Sequence, residues 1–156
     1  MSNQESVLNA SAKTLIERPP GPVFDFVAVK FFENYRRWSP EVQVLDVLSS
    51  GPIRVGAMAR QVRVDHGRQT DTTFKVIAFE HANRLEFAER GNRYRICYQF
   101  ALVGGHTQLT FAIELARLDL LLRPFTKLIR AAVQDGAERV VDNIKGLVEH
   151  EVPAPE

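Results

Sequence analysis

Hydrophobic positions along this chain change period near residue 118. Leu109, Phe111, Ile113 and Leu115 alternate with Thr110, Ala112 and Glu114. That is the period of a strand with one buried face, and Gln108 to Leu115 is read as one. Beyond it, apolar residues fall at Leu118, Leu121, Phe125, Leu128, Ala132, Gly136, Val140, Ile144 and Leu147. Steps of three and four place all of these on one side of a helix running to Glu149, roughly 48 Å if continuous at 1.5 Å per residue. Pro124 divides the stretch, so a short helical turn is expected before it and the main helix after it. Gly136 weakens a helix interior by roughly 1 kcal/mol against alanine, and close approach of the helix to a sheet is the expected reason for it.

Everything upstream reads mainly as strands. Leu8 to Ile16 alternates and is closed by Pro19-Pro20-Gly21-Pro22. Pro22 suits the first turn of a short helix carrying Val23, Phe24, Phe26 and Val27. A second short helix is expected over Phe31 to Trp38, stopped at Ser39-Pro40. Strands follow over Val42–Leu48, Ala57–Asp65, Thr70–Phe79, Leu85–Glu89 and Tyr94–Leu102, separated by turn sequences such as His66-Gly67-Arg68, His81-Ala82-Asn83, Gly91-Asn92 and Gly104-Gly105. The alternation is one-sided and the connections are short, so the sheet is expected to be an antiparallel meander with one wet face. A long helix on a broad curved sheet leaves a hollow between them, and that hollow is where function is sought.

Composition narrows the classes. The 156 residues are 45% hydrophobic and 25% charged, as in an ordinary globular domain. The net charge of +1 gives no global drive toward nucleic acid. The lone Cys97 forms no intrachain disulfide and no cysteine metal cluster. No apolar run approaches the ~18 residues of a membrane span, and the polar start MSNQESVLNA does not read as a signal peptide. A soluble cytoplasmic protein of a single domain, residues 1–156 with a core from about 8 to 149, is the expectation.

RPPGPVFDFV as the lead-in to a short helix, RRWSPEV with Trp38 and Pro40, RVGAMARQV with Gly56, HANRLEF from His81 to Phe87, and VGGHTQLTF from Val103 to Phe111 occur in this order and spacing. In this the chain resembles the START-like (SRPBCC, helix-grip) superfamily, most closely its polyketide cyclase/dehydrase and lipid-transport branch, from about Leu8 to Glu149. The resemblance implies an α+β fold: a seven-stranded antiparallel sheet wrapped around a long C-terminal helix, with two short helices after the first strand. Superfamily members include aromatic polyketide cyclases, lipid and sterol carriers, quinone-binding proteins, hormone receptors and chaperone co-factors. It supplies no universal catalytic motif, so no catalytic residue is carried over, and fold alone does not fix function.

The candidate ligand-binding residues are Met58, Arg60, Phe74, Phe87, Tyr94, Tyr98, Phe100, Phe111 and Phe125, assigned by strand parity and helix spacing. Aromatic walls with a few polar groups suit a small-molecule pocket, although most such residues in any protein are plain core. Arg60 shares parity with Met58, Val62 and Val64. If that face is inward, its guanidinium is a fork for a carboxylate, phosphate or phenolate; otherwise it is a rim arginine with its head in water. Tyr94 and Tyr98 share the inward parity and need hydrogen-bond partners either way. Trp38 either caps a cavity mouth or anchors the second short helix.

The histidines His66, His81, His106 and His150 fall in turns or the tail without metal-ligand spacing, so no metal and no cofactor is expected. Arg90, Arg93 and Arg95 sit near Glu86 and Glu89 and read as ion-pairing residues. Arg123, Lys127 and Arg130 form a basic stripe, read either as a solvated helix face or as a weak contact for an anionic head group. The leading expectation is a non-catalytic binder or carrier of a small hydrophobic molecule, with no nucleic-acid partner and no integral membrane segment. The alternative is a polyketide cyclase or dehydratase acting in the same cavity, marked by a cluster of inward ionisable residues. A third class, a protein-interaction module, requires an exposed apolar patch on the outer sheet face.

Overall fold

The structure is a computed structural model and describes residues 8–116, 118 and 120–155. Strand β1 (Leu8–Ile16) leads into a short helix, α1 (Pro20–Phe24), which widens into a π-turn (Asp25–Val29). Helix α2 (Phe31–Trp38) follows, then six strands: β2 (Val42–Val47), β3 (Met58–Asp65), β4 (Arg68–Glu80), β5 (Arg84–Glu89), β6 (Tyr94–Val103) and β7 (His106–Leu115). A 3-10 turn (Leu120–Phe125) introduces helix α3 (Thr126–Glu151). The strands form one antiparallel sheet of seven in the order β1-β7-β6-β5-β4-β3-β2. Only β1 departs from a meander, pairing with β7 across its whole length from Leu8↔Leu115 to Ile16↔Thr107. This is the expected helix-grip architecture.

Turn chemistry fixes the hairpin registers. His66 and Gly67 both have positive φ (52° and 80°), as do Gly104 and Gly105 (57° and 84°). Paired positive φ values match the twist of the flanking strands, and glycine reaches them without a Cβ clash. The β3–β4 and β6–β7 registers then follow, with Asp65 opposite Arg68 and Val103 opposite His106.

The inward face carries Ile16 on β1, Leu109 and Phe111 on β7, Ile96, Tyr98 and Phe100 on β6, Leu85 and Phe87 on β5, and Phe74 and Val76 on β4, all buried. Phe24, Phe31, Tyr35 and Trp38 press on them from α1 and α2. The side of α3 that meets the sheet carries Ala137, Val141, Ile144 and Val148. This corrects the first half of the expected helix face; the second half agrees, with Ile144 buried and Val140 and Leu147 packed against the core. Leu121, Phe125 and Leu128 are exposed. Gly136 is corrected too. A Cβ placed there meets only Arg139 Nη2 at 3.7 Å, so Ala137, not Gly136, is the close-approach residue.

The C-terminal half of α3 is tied to the far end of the sheet. Arg18, just beyond β1, donates from Nε to Val152 O and from Nη2 to Glu149 O, each at 2.7 Å. These carbonyls lie at the end of a helix, where no intrahelical donor remains. Asn143 Nδ2 donates to Trp38 O at 3.2 Å, and Arg37 pairs with Glu151, so α2 and α3 are also joined.

Candidate functional site

The site grows from α2. Phe31, Tyr35 and Trp38 recur at steps of four and three, so one side of α2 is aromatic and turns to the concave sheet face. Asn34, also buried, donates from Nδ2 to Phe26 O at 2.9 Å and locks α2 against the π-turn. Glu33 in the first turn and Arg36 and Arg37 in the last complement the helix dipole. Phe31 lies at the centre, with ring centroids 4.6 Å from Tyr35, 5.4 Å from Phe87 and 5.9 Å from Tyr98.

A polar chain runs from this aromatic floor toward solvent. Trp38 Nε1 donates to the Tyr98 hydroxyl at 3.2 Å. Tyr35 donates its hydroxyl proton to Gln61 Oε1 at 2.8 Å, and Gln61 Nε2 donates to the Tyr94 hydroxyl at 3.0 Å. The Tyr94 hydroxyl also lies 2.8 Å from Thr72 Oγ1. Arg63 closes the chain at its other end. Its Nη1 donates to the Tyr35 hydroxyl at 3.3 Å, and its Nε and Nη2 form a fork on Asp65 at 3.1 and 2.9 Å. Glu41, 3.8 Å from Arg63, also reaches Arg139 on α3 at 3.9 Å.

Burial sets the protonation states. The Tyr94 phenol is pushed up to about 12, chiefly by desolvation, which its bonds to Thr72 and Gln61 only partly offset. Desolvation likewise raises Tyr35 and Tyr98, with Arg63 and Trp38 respectively opposing it. All three phenols are therefore neutral donors near neutral pH. Burial works to lower the Arg63 pKa, but the Asp65 bond and the neighbouring charges outweigh it and raise it, so the guanidinium stays charged.

The concave face is not fully covered. Inward residues Thr72, Tyr94, Ile113 and Leu115 remain partly exposed, while Phe74, Phe87, Tyr98 and Phe111 beside them are buried. On α3, Ile129 and Val133 lie in line with buried Ala137 at helical spacing and are also partly exposed. Tyr94, Ile113 and Leu115 thus mark an incompletely covered stretch of the concave face beside the first half of α3, called the recess below. The Tyr94–Thr72–Gln61 cluster lies at one side of it and the aromatic floor behind.

The residues singled out by sequence divide into four groups. Phe74, Phe87, Tyr98, Phe100 and Phe111 do face inward and are gathered in the core, where Phe31 and Phe24 pack on their rings. Tyr94 faces inward at the recess. Phe125 stands at the lead-in to α3, more than half exposed. Arg60 and Met58 are corrections. Arg60 lies on the outer face, forked on Asp71 at 3.0 and 2.8 Å and bonded to Asp46 at 3.0 Å. Met58 lines an outer-face groove of about 600 Å³ with Lys75, Ile77, Ala88 and Arg90. The inward parity of β3 belongs to Ala59, Gln61 and Arg63, since Ala59 pairs with inward Phe74. Sequence reasoning passed over Tyr35, Gln61, Arg63 and Thr72. The signal for Tyr35 was its i, i+4 step from Phe31; for Gln61 and Arg63 it was the other parity of a strand with two plausible faces.

One antiparallel sheet of seven strands with a long C-terminal helix packed on it, and short helices after the first strand, defines the START-like helix-grip class. Within it, the chain belongs to the family described as polyketide cyclase / dehydrase and lipid transport, which it matches over residues 8–149. Solved structures agree on the fold. A Thermus thermophilus protein, TTHA0849, superposes with a TM-score of 0.77 at 18% identity, over 93% of this chain and 99% of that one. The Zhui aromatase/cyclase of a Streptomyces species gives 0.75 at 14% identity, over 94% and 96%. The major latex-like protein 151 of Panax ginseng gives 0.67 at 15% identity, over 93% and 97%. No functionally curated protein matches the sequence. Among the described residues, no helix is long and apolar enough to cross a membrane.

Proposed function

We propose that this protein binds a small, largely hydrophobic molecule bearing at least one oxygen acceptor, in the recess beside the first half of α3. The observation that carries this reading is the partial exposure of inward Tyr94, Ile113 and Leu115 beside buried Phe87, Tyr98 and Phe111. Apolar surface turned inward yet left open is surface a ligand can desolvate. The neutral phenol of Tyr94, held by Gln61 and Thr72, offers a hydrogen bond to a ligand carbonyl or hydroxyl. Arg63 lies further along the same chain, beyond Gln61 and Tyr35, and supports the cluster electrostatically. Membership in a family that includes lipid transport and polyketide cyclisation agrees with such a ligand.

A second reading, a cyclase or dehydratase on a polyketide-like substrate, is favoured by one observation. Tyr35, Arg63, Asp65, Tyr94 and Glu41 form an inward ionisable cluster, the feature that separates a catalyst from a carrier. A recess that folds a flexible substrate needs only one or two such groups to move protons.

The test is a thermal-shift panel of fatty acids, sterols, quinones, flavonoids and aromatic polyketides. A ligand of the folded state at a hundredfold excess over its dissociation constant adds about 2.7 kcal/mol of stability. A selective hit weakened by Tyr94→Phe supports the recess. A panel without any shift overturns the reading. Conversion of the hit during long incubation, lost in Arg63→Met, moves the assignment to the enzyme.

A further inference from the structure

The lead-in to α3 presents an apolar surface that nothing in the recess reading uses. Leu120, Leu121, Phe125 and Leu128 are 73%, 87%, 53% and 69% exposed. Singly exposed leucines are ordinary, but four large apolar side chains within nine residues form a patch, and such patches mark contact surfaces. Sequence steps of three and four from Leu121 through Phe125 to Leu128 keep them close along the turn and the first helical turns. They are open to solvent, and the buried side of α3 begins only further on, at Ala137.

Charge decides what the patch fits. From Leu120 to Gln134 the chain carries three cations, Arg123, Lys127 and Arg130, and no carboxylate. All three are exposed, and none forms an ion pair with another described residue. Elsewhere arginines are routinely paired: Arg60, Arg63, Arg84 and Arg95 each have a carboxylate partner. The same segment of a second copy offers no acidic counterpart, since it is itself basic. A bilayer with anionic head groups offers both counterparts at once: hydrocarbon for the leucines and phenylalanine, negative charge for cations on long, flexible stems.

We propose that the segment from Leu120 to Arg130 is a peripheral docking surface for anionic lipid bilayers. Leu121, Phe125 and Leu128 enter the head-group boundary, and Arg123, Lys127 and Arg130 bind the phosphates. The segment is too short and too charged to span, so the contact is reversible. The inference stands apart from the identity of any ligand in the recess, because the docking side chains are open to solvent.

The experiment is vesicle co-sedimentation of the full chain. Phosphatidylcholine vesicles are compared with vesicles containing roughly one-third phosphatidylglycerol, where each basic residue near the surface is worth about fivefold in partitioning. The expected result is binding to the anionic vesicles alone, lost as salt rises from about 0.1 M to about 0.5 M. Lys127→Gln with Arg130→Gln weakens it roughly twenty-five-fold. Leu121→Ser with Leu128→Ser abolishes it, with the thermal midpoint unchanged because both side chains are already in water. Equal binding to neutral vesicles, no binding, or binding indifferent to either double variant overturns the proposal. A solution dimer that dissolves in the leucine variant, without vesicle binding, also overturns it and assigns the patch to self-association. Because the readout uses no recess ligand, its failure leaves the ligand proposal standing, and the reverse also holds.

Discussion

The hydroxyl of Tyr35 donates to the side-chain oxygen of Gln61 at 2.8 Å, joining α2 to the middle of β3 inside the concave face. Gln61 is buried, and its amide nitrogen holds Tyr94 on β6 at 3.0 Å. One side chain thus satisfies two phenols from two different elements. A buried group left without its partner is penalised by its full desolvation.

Gln61→Ala removes both partners at once and is expected to lower stability by about 2–4 kcal/mol. Thr72→Val, which removes one bond at the partly exposed end of the chain, is expected to lower it by about 1 kcal/mol. Urea unfolding followed by Trp38 emission measures both. Equal effects of the two substitutions count against Gln61 as the shared node.

The tyrosines make a pH prediction whose sign follows from burial. Tyr35, Tyr94 and Tyr98 are the protein's three tyrosines, and all are raised above the usual value near 10. Between pH 10 and the folded value of about 12 for Tyr94, the native state holds protons that the unfolded chain has released. The stability this gives is fully present below pH 10 and is lost as pH rises through that window. Tyrosinate absorbance is therefore expected to appear together with loss of near-ultraviolet dichroism. A rise near pH 10 in a still-folded protein contradicts the buried placement.

Much of the fold was legible because its strands obey a simple rule. Tyr94, Ile96, Tyr98 and Phe100 alternate without exception, and all turn inward. The inward end of β3 does not obey it. Ala59 is small because Phe74 stands opposite, and Gln61 and Arg63 are polar because hydrogen bonds to Tyr35 and Tyr94 replace apolar contact there. Met58, Val62 and Val64 then make the outer face look like the core. On α3 the spacing identified a helix, but the half that meets the sheet and the half that stands clear have similar apolar content. Only tertiary packing distinguishes Leu128 from Ile144.

That inversion of β3 yields a paired test. Arg60 and Arg63 lie on the same strand with opposite orientations. Arg60→Ala breaks an exposed contact with Asp71 and Asp46, and it is expected to leave both the thermal midpoint and the affinity for a recess ligand where they are. Arg63→Ala leaves Asp65 without its cation and Tyr35 without a donor, with Glu41 held by Arg139 alone, and is expected to lower both. A ligand lost in Arg60→Ala and kept in Arg63→Ala places binding on the outer face, toward the groove at Met58 and Lys75.

Phe31 carries the aromatic floor, with Phe32, Tyr35, Trp38, Phe74, Phe87 and Tyr98 around its ring. Phe31→Ala opens a cavity among residues on α2, β4, β5 and β6 that cannot collapse together, and is expected to destabilise by about 3–5 kcal/mol. Phe31→Leu keeps most of the volume and is expected to lose about 1 kcal/mol. A loss below about 1 kcal/mol in the alanine variant indicates a floor that is already loose.

Arg18 governs how firmly the grip is closed. Thr107 Oγ1 donates to Arg18 O at 2.8 Å, fixing the backbone just past β1 beside β7. From there the guanidinium reaches Glu149 O in the last turn of α3 and Val152 O just past its end. One flat, forked cation thus satisfies two groups that the helix itself leaves open, and it pins the helix end to the sheet edge where β1 finishes. Arg18→Ala is expected to lower stability by about 2 kcal/mol, a fall of roughly 4–8 °C in the midpoint. Its effect is expected to be local as well, with faster amide exchange in the last turns of α3 and little change near Phe87. Arg18→Lys keeps the charge but not the fork, so partial rescue is expected. Full rescue by lysine shows that charge near the helix end, and not the paired geometry, holds α3 to the sheet.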